Sequence, residues 1–143
     1  MFSTIFYRKD NKQDEIYYYN DENAAKSHME LFRADDSNLY SRIAVVNDDT
    51  NTTLHLMVFD ESGKMDALYS QGTLVRLAPK YRSEGEAKYV FAISNINDKT
   101  MRLNITCLNS RLTLKPSEIV GVEMVEPIGE EITVEQIAKE FSV

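Results

Sequence analysis

The chain has 143 residues, of which 43% are hydrophobic and 27% charged, so its composition is that of a globular protein and excludes wholesale disorder. It carries 16 basic and 23 acidic side chains, and no apolar run approaches the length of about 18 residues that a membrane helix needs. With a single cysteine and no signal-peptide pattern at its start, it is expected to be cytoplasmic.

The charge is distributed unevenly along the chain. Residues 1–70 hold 7 basic and 13 acidic side chains, residues 71–119 hold 8 and 4, and residues 120–143 hold 1 and 6. A cationic middle between anionic ends argues against a nucleic-acid coat protein, because phosphate repels both ends. Two interpretations remain: the basic segment compensates the acidic ones within the protein, or it forms a basic binding face.

Residues 1–70 are predicted to form strands around one helix. The runs 3–8, 16–19, 43–46, 52–59 and 65–69 are rich in β-branched and aromatic residues and are separated by polar turns, which favours antiparallel hairpins. Asn20 or Asp21 can cap a helix that ends near Arg33 or Ala34. Alternation along 53–58 predicts that one face of that strand belongs to the core. The pattern is typical of an α+β fold, an antiparallel sheet with one packed helix.

Residues 71–127 contain five further short strands in the sequence pattern. They are predicted at 73–77, 89–93, 101–107, 112–114 and 119–125, with a one-turn 3₁₀ link at 115–118, and this spacing indicates a small barrel or sandwich. Residues 128–143 are predicted to end in a helix, which Thr133 and Gln136 cap reciprocally. That short helix is expected to pack on this protein's own sheet, or otherwise on a partner or a second copy.

The order of elements in 71–127 resembles that of Src-homology-3-like small β-barrels in bacterial, phage and mobile-element proteins. The similarity rests on the strand at 72–77, a long loop, two strands joined by a tight turn, and the segment 112–119 leading into a last strand. It implies a five-stranded barrel and a binding role without indicating a substrate. The aromatic peptide groove of the eukaryotic versions is not implied, because the chain has no tryptophan and no matching acidic loop.

The residue types needed for catalysis or metal binding are few. His28, His55 and Cys107 stand at no recognisable ligand spacing, and no Ser/His/Asp constellation is evident. Cys107 is expected to be a small core residue. The acidic loops at 35–38 and 48–51 lack the central glycine and distant glutamate of a calcium loop, and no glycine-rich phosphate loop is present. The sequence therefore predicts no catalytic residue, no metal site and no cofactor.

Two clusters are candidates for partner binding. Tyr17, Tyr18 and Tyr19 point alternately in a strand, so one face is core and the other is either an exposed aromatic interface or is covered by another part of the protein. In the second half the candidates are Arg76, Tyr81 and Arg82, because basic residues interleaved with aromatic ones can hold protein or single-stranded nucleic acid.

The leading hypothesis is a non-enzymatic protein-interaction module, a monomer or homodimer whose partner is another protein and which has no membrane association. One concrete form is a phage or mobile-element accessory protein that inhibits a host complex. The alternative is a nucleic-acid-binding small barrel that uses a basic aromatic face within residues 71–119. A third reading is an enzyme whose site is scattered along the chain.

Overall fold

The computed structural model describes residues 1–10, 12–33, 38–82, 85, 89–108 and 117–128, with only the backbone at 117 and 118. Within these residues the chain forms ten β-strands and one α-helix. It divides into two compact units, Met1–Ser70 and Gln71–Val143.

The first unit is a five-stranded antiparallel sheet with one helix. Its elements are β1 (Phe2–Arg8), β2 (Glu15–Tyr19), α1 (Glu22–Glu30), β3 (Tyr40–Asn47), β4 (Thr52–Phe59) and β5 (Met65–Ser70). The strands pair in the order β2-β1-β3-β4-β5, so β2 and β5 are the edges. Each strand pairs with its sequence neighbour except at β1–β3, and α1 connects the β1–β2 hairpin to the meander formed by β3, β4 and β5.

The main core of this unit lies where α1 packs on the sheet. Ala25 and Met29, one turn apart on the helix, are fully buried. The buried cluster around them consists of Phe6, Tyr40, Ile43, Val45, Met57 and Phe59. Thr4 is also buried, and its hydroxyl donates to the backbone carbonyl of Ala25 at 2.8 Å, which ties the helix to β1.

The helix has a defined start and an earlier end than predicted. Asp21 has an extended backbone, and its carboxylate accepts a hydrogen bond from the Asn23 N–H at 2.7 Å, so Asp21 rather than Asn20 is the N-cap. After Glu30 the chain tightens, because the N–H groups of Phe32 and Arg33 each donate to a carbonyl three residues back. The last turn that periodicity assigned to the helix is therefore not α-helical.

The second unit contains another five-stranded antiparallel sheet. Its elements are β6 (Leu74–Leu77), a 3₁₀ turn (Pro79–Tyr81), β7 (Phe91–Asn97), β8 (Arg102–Cys107), β9 (Ser117–Gly121), a 3₁₀ turn (Val122–Met124) and β10 (Val125–Pro127). The strand order is β10-β6-β7-β8-β9. Val75, Leu103 and Ile105 are fully buried, which gives this sheet an apolar interior of its own.

The same turn closes one hairpin in each unit. Asn47 at the end of β3 accepts hydrogen bonds through its side chain from two N–H groups of the following loop, and Asn97 at the end of β7 does the same. In both loops the residue before the returning strand has a left-handed backbone, with φ of 54° at Asn51 and 59° at Met101. The acidic loop at 48–51 is a turn, as its sequence indicates, and its carboxylates bind the start of the chain, since Asp48 accepts from the Ser3 hydroxyl and Asp49 from the amino group of Met1. The acidic loop at 35–38 lies outside the described residues apart from Asn38.

The predicted fold class is wrong. The described residues are mostly β, with two five-stranded antiparallel sheets and a single helix, instead of an α+β half followed by a Src-homology-3-like barrel. The sequence pattern located most of the strands, including 65–69, but not their arrangement in the second unit, because the pairing of 125–127 beside β6 joins residues about 50 positions apart and leaves little trace in the sequence. The predicted terminal helix at 128–143 lies outside the described residues apart from residue 128.

Three smaller predictions also need correction. The last strand, expected at 119–125, is interrupted: β9 ends at Gly121 and a 3₁₀ turn precedes β10. The strand expected at 112–114 lies outside the described residues, and residues 117 and 118, assigned to a 3₁₀ link, belong to β9. In β4, the adjacent residues Leu56 and Met57 point to opposite faces and are both fully buried, so the strand does not have a single core face.

Candidate interaction surface

The tyrosine run forms β2, an edge strand, and the direction of its free backbone groups follows from its neighbours. Asp48 N–H donates to the carbonyl of Met1, and Lys9 N–H donates to the carbonyl of Leu39. Odd-numbered residues of β1 therefore hydrogen-bond towards β3, and even-numbered residues face β2, since backbone groups alternate along a strand. In the register Thr4 opposes Tyr17, so the odd-numbered residues of β2 are the ones bonded to β1.

It follows that Ile16 and Tyr18 direct their backbone N–H and C=O groups away from the sheet. Among the described residues, β2 pairs with β1 alone. The side chains of Ile16 and Tyr18 lie on the same face and are 48% and 63% exposed. This edge thus presents both unpaired backbone polar groups and exposed apolar side chains, a combination that natural sheets usually avoid.

Tyr17 and Tyr19 lie on the opposite face, towards α1, and belong to an aromatic cluster around His28. The Tyr17 ring meets His28 and Phe6 edge to face, with centroids 4.7 and 5.5 Å apart. The Tyr19 hydroxyl lies 2.7 Å from His28 Nδ1. Phe32 packs on Phe6 at 4.9 Å. The sequence left open which face of the run is core, and these contacts place Tyr17 and Tyr19 on the helix side of β2, where Tyr19 is half-buried and Tyr17, still 42% exposed, lies at the margin of the core.

Glu15, at the start of β2, accepts three hydrogen bonds and so links residues of this cluster. Its carboxylate accepts hydrogen bonds from the hydroxyls of Tyr17 and Tyr40, each at 2.9 Å, and from Arg8 Nη1 at 3.0 Å. Burial would raise the pKa of Glu15, but these three hydrogen bonds outweigh it and the pKa is lowered. Burial, together with the bond to Glu15, raises the pKa of Tyr40 to about 12.

The second-unit candidates have local partners. The Arg82 guanidinium donates to the backbone carbonyl of Leu77 at 3.2 Å and lies 4.0 Å from the Glu126 carboxylate. Arg76 stands opposite Glu126 in the pairing of β6 with β10. Tyr81 is 39% exposed, and the ammonium of Lys80 lies 5.6 Å from its ring centroid. An acidic residue therefore sits beside both arginines, which lowers the positive potential available for phosphate.

The six candidate residues fall in two units: the three tyrosines in the first, and Arg76, Tyr81 and Arg82 in the second. Sequence reasoning missed Ile16, Glu15 and Arg8 as members of the surface and its support. The alternation of Glu15-Ile16-Tyr17-Tyr18-Tyr19 already placed Ile16 beside Tyr18, so Ile16 could have been found. The convergence of Arg8 and Tyr40 on Glu15 could not, because Tyr40 is 25 residues away in sequence.

A second polar cluster, which the sequence did not suggest, joins α1 to the far strands of the sheet. His55 in β4 stands opposite Ser70 in β5, and its Nδ1 lies 2.6 Å from the Ser70 hydroxyl oxygen. Its Nε2 lies 3.0 Å from a carboxylate oxygen of Glu22, the first residue of α1. Burial lowers the pKa of His55, and this outweighs the opposing effect of the hydrogen bond that His55 Nε2 donates to the Glu22 carboxylate. The sequence showed no Ser/His/Asp constellation, and the fold brings Ser70, His55 and Glu22 together from positions that are distant along the chain.

Comparison with known proteins gives no relative. The chain matches no family model, no curated protein and no solved structure. The likeness to bacterial, phage and mobile-element proteins therefore stays a prediction. In the part of the chain that the structure describes, no helix has the length and apolar character needed to cross a membrane, and no three His, Cys, Asp or Glu side chains converge as metal ligands.

Proposed function

We propose that the protein acts by binding another protein, and that it does so by adding an extended segment of the partner to the outer edge of β2. The observation that carries this proposal is the pair Ile16 and Tyr18, whose outward backbone groups and exposed side chains lie on one edge. In strand addition the main-chain hydrogen bonds supply affinity, while alternate side chains supply specificity.

The charge around the edge favours a basic partner segment. Asp14 and Asp21 flank β2 and are both exposed, and residues 1–70 hold 13 acidic against 7 basic side chains. A second copy of the chain would bring the same negative charge to the edge and be repelled. The occupant we propose is therefore an extended, apolar segment of another protein with lysine or arginine at its ends.

This chemistry fits the hypothesis of an accessory protein that inhibits a host complex. A basic segment that ordinarily contacts phosphate offers the charge that the acidic first unit attracts, and its backbone offers the donors and acceptors that β2 lacks. Binding there would occupy the segment and compete with its usual ligand. For the alternative, a nucleic-acid-binding face at 71–119, the proximity of Glu126 to Arg76 and Arg82 is unfavourable.

The test uses a synthetic peptide with alternating valine and tyrosine between lysine-rich ends, and measures its Kd by fluorescence anisotropy. Ile16→Pro removes the outward N–H without a loss inside the sheet, because proline is tolerated where an edge N–H faces solvent. Tyr18→Thr removes the exposed ring and keeps strand propensity. Each variant should raise the Kd about tenfold, the equivalent of one hydrogen bond or one well-packed contact.

Leu31→Thr is the matched control, since Leu31 is 79% exposed and lies outside β2. Its Kd should equal that of the wild type. Equal binding by all four proteins would contradict the proposal. Light scattering on the free protein tests whether a second copy of the chain binds the edge instead. A wild-type dimer that becomes a monomer in Ile16→Pro would place a second copy at the edge and would overturn the proposal of a different protein as partner.

A further inference from the structure

Ser70, His55 and Glu22 form a continuous hydrogen-bonded chain whose proton positions are fixed by chemistry. An ionised carboxylate only accepts hydrogen bonds, so the proton between Glu22 and His55 belongs to Nε2 of the imidazole. A neutral imidazole that is protonated on Nε2 has a lone pair on Nδ1. The Ser70 hydroxyl, 2.6 Å from Nδ1, must therefore be the donor in that bond.

This is the proton arrangement of a serine paired with its general base. The base lies within hydrogen-bond reach of the hydroxyl and is oriented in turn by a third group. His55 is 8% exposed, whereas Ser70 is half-buried, so the base is shielded while the serine is partly accessible. We propose that Ser70 is a nucleophile that accepts the acyl group of a carboxylic ester, with His55 as general base and Glu22 as the positioning residue.

The step balances without a further reactant. Ser70 Oγ bonds to the ester carbonyl carbon, its proton moves to His55 Nδ1, and the π pair of the C=O bond moves to the carbonyl oxygen. When that electron pair re-forms the C=O bond, the bond between the carbonyl carbon and the leaving alkoxide breaks, and the alkoxide takes the proton from His55 Nδ1. The products are acyl-Ser70 and an alcohol, with neutral His55 restored. A water molecule then attacks the acyl carbon by the same steps, with Ser70 as the leaving group, and the carboxylic acid is released.

The base form of His55 is the one present at neutral pH. Burial lowers the pKa of His55, and the charged groups that act on it from α1 are Glu22, Lys26 and Glu30. From β5 its neighbour is the uncharged Ser70. Acylation should accordingly be at its plateau at pH 7 and decline on the acid side as His55 gains a proton.

The experiment uses 4-nitrophenyl acetate as the probe on the full chain. The wild type should release one equivalent of 4-nitrophenolate in a burst, and peptide mass spectrometry should place one acetyl group on Ser70. His55→Gln should slow acylation about 100-fold or more, the usual contribution of a general base. Ser70→Ala should abolish the burst, whereas Ser41→Ala should leave it unchanged, because the Ser41 hydroxyl is bonded to a backbone carbonyl elsewhere in the sheet.

Glu22→Gln separates positioning from a structural role. Glu22 raises the pKa of His55 through its hydrogen bond, so its removal should slow acylation and also move the acid limb of the pH profile to lower pH. If Glu22 had only a structural role, the variant would be less stable but the acid side of its pH profile would not move. Absence of a burst, or acetyl groups on lysines alone, would overturn the proposal. The site of acetylation in the wild type decides the matter even if a variant does not fold, and neither result depends on the β2 edge.

Discussion

At the residue scale, Glu15 shows how one carboxylate supports the edge strand that we propose as the binding surface. It fixes Tyr17 and Arg8 on the edge hairpin and Tyr40 on β3, so the edge strand is tied to the centre of the sheet. Removing the carboxylate leaves the hydroxyl of the buried Tyr40 with a weaker acceptor.

Glu15→Gln should lower the free energy of unfolding by about 1–3 kcal/mol at pH 7, because charge-assisted hydrogen bonds are lost. The folded-state pKa of Glu15 is below its ordinary value of 4.5, so the stabilisation is present above that value and is lost as pH falls through the folded-state pKa. Urea titrations across this range should show a smaller decline for the variant. Glu61→Gln, at an exposed side chain, is the matched control for the loss of a carboxylate and should have the wild-type urea midpoint at pH 7.

His28 should make the protein less stable in mild acid. Burial lowers its pKa below 6.5, so the unfolded chain binds a proton that the folded one does not, and stability falls as pH decreases from above 6.5. His28→Phe keeps a ring in the aromatic cluster and removes this proton. Its melting temperature should therefore change less between pH 7 and pH 5 than that of the wild type. An equal change of melting temperature in both proteins would show that His28 has the same pKa in the folded and unfolded chain.

At the element scale, consecutive tyrosines of β2 have different roles, because their side chains lie on opposite faces of the strand. Tyr19→Ala removes a ring packed on the core cluster and the hydrogen bond to His28, and should cost about 1–3 kcal/mol of stability. Tyr18→Thr removes an exposed ring and should cost less than about 0.5 kcal/mol. Chemical denaturation measures both. If Tyr18→Thr destabilised the fold as much as Tyr19→Ala, the outward assignment of Tyr18 would be wrong.

Helix α1 offers a matched pair of variants at its start. Asp21→Ala removes the side chain that accepts from Asn23 N–H and should destabilise the protein by about 0.5–2 kcal/mol. Asn20→Ala, one position earlier, should be close to neutral, since Asn20 is exposed and is not the cap. The denaturation midpoints of the two variants decide between the alternatives that the sequence left open.

At the scale of the whole molecule, the uneven charge sets how binding depends on salt. The screening length shrinks from about 30 Å at 0.01 M to about 8 Å at 0.15 M ionic strength. The affinity for the lysine-ended peptide should therefore fall over this range, and that for the same peptide with glutamate ends should rise. Anisotropy titrations at several salt concentrations measure both slopes. Two parallel slopes would contradict an electrostatic contribution from the acidic first unit.

The sequence by itself determined the local elements that short-range chemistry controls. The polar turn between β1 and β2, the start of α1 near Asp21 and the Asn-led hairpin turns follow from side chains that bond their own backbone within a few residues. The strand character of the tyrosine run follows from its aromatic content. It also determined the chain's acidic balance, which does not depend on folding.

Only the tertiary structure decided the fold class, the outward direction of Ile16 and Tyr18, and the meeting of Ser70, His55 and Glu22. Each depends on which strands pair and in what register, and a shift of one residue would reverse every side chain of β2. Pairing joins residues that are far apart in sequence: Glu22 and His55 are separated by 33 positions. Local propensity carries no information about such contacts, because their energy appears only when the sheet and helix pack together.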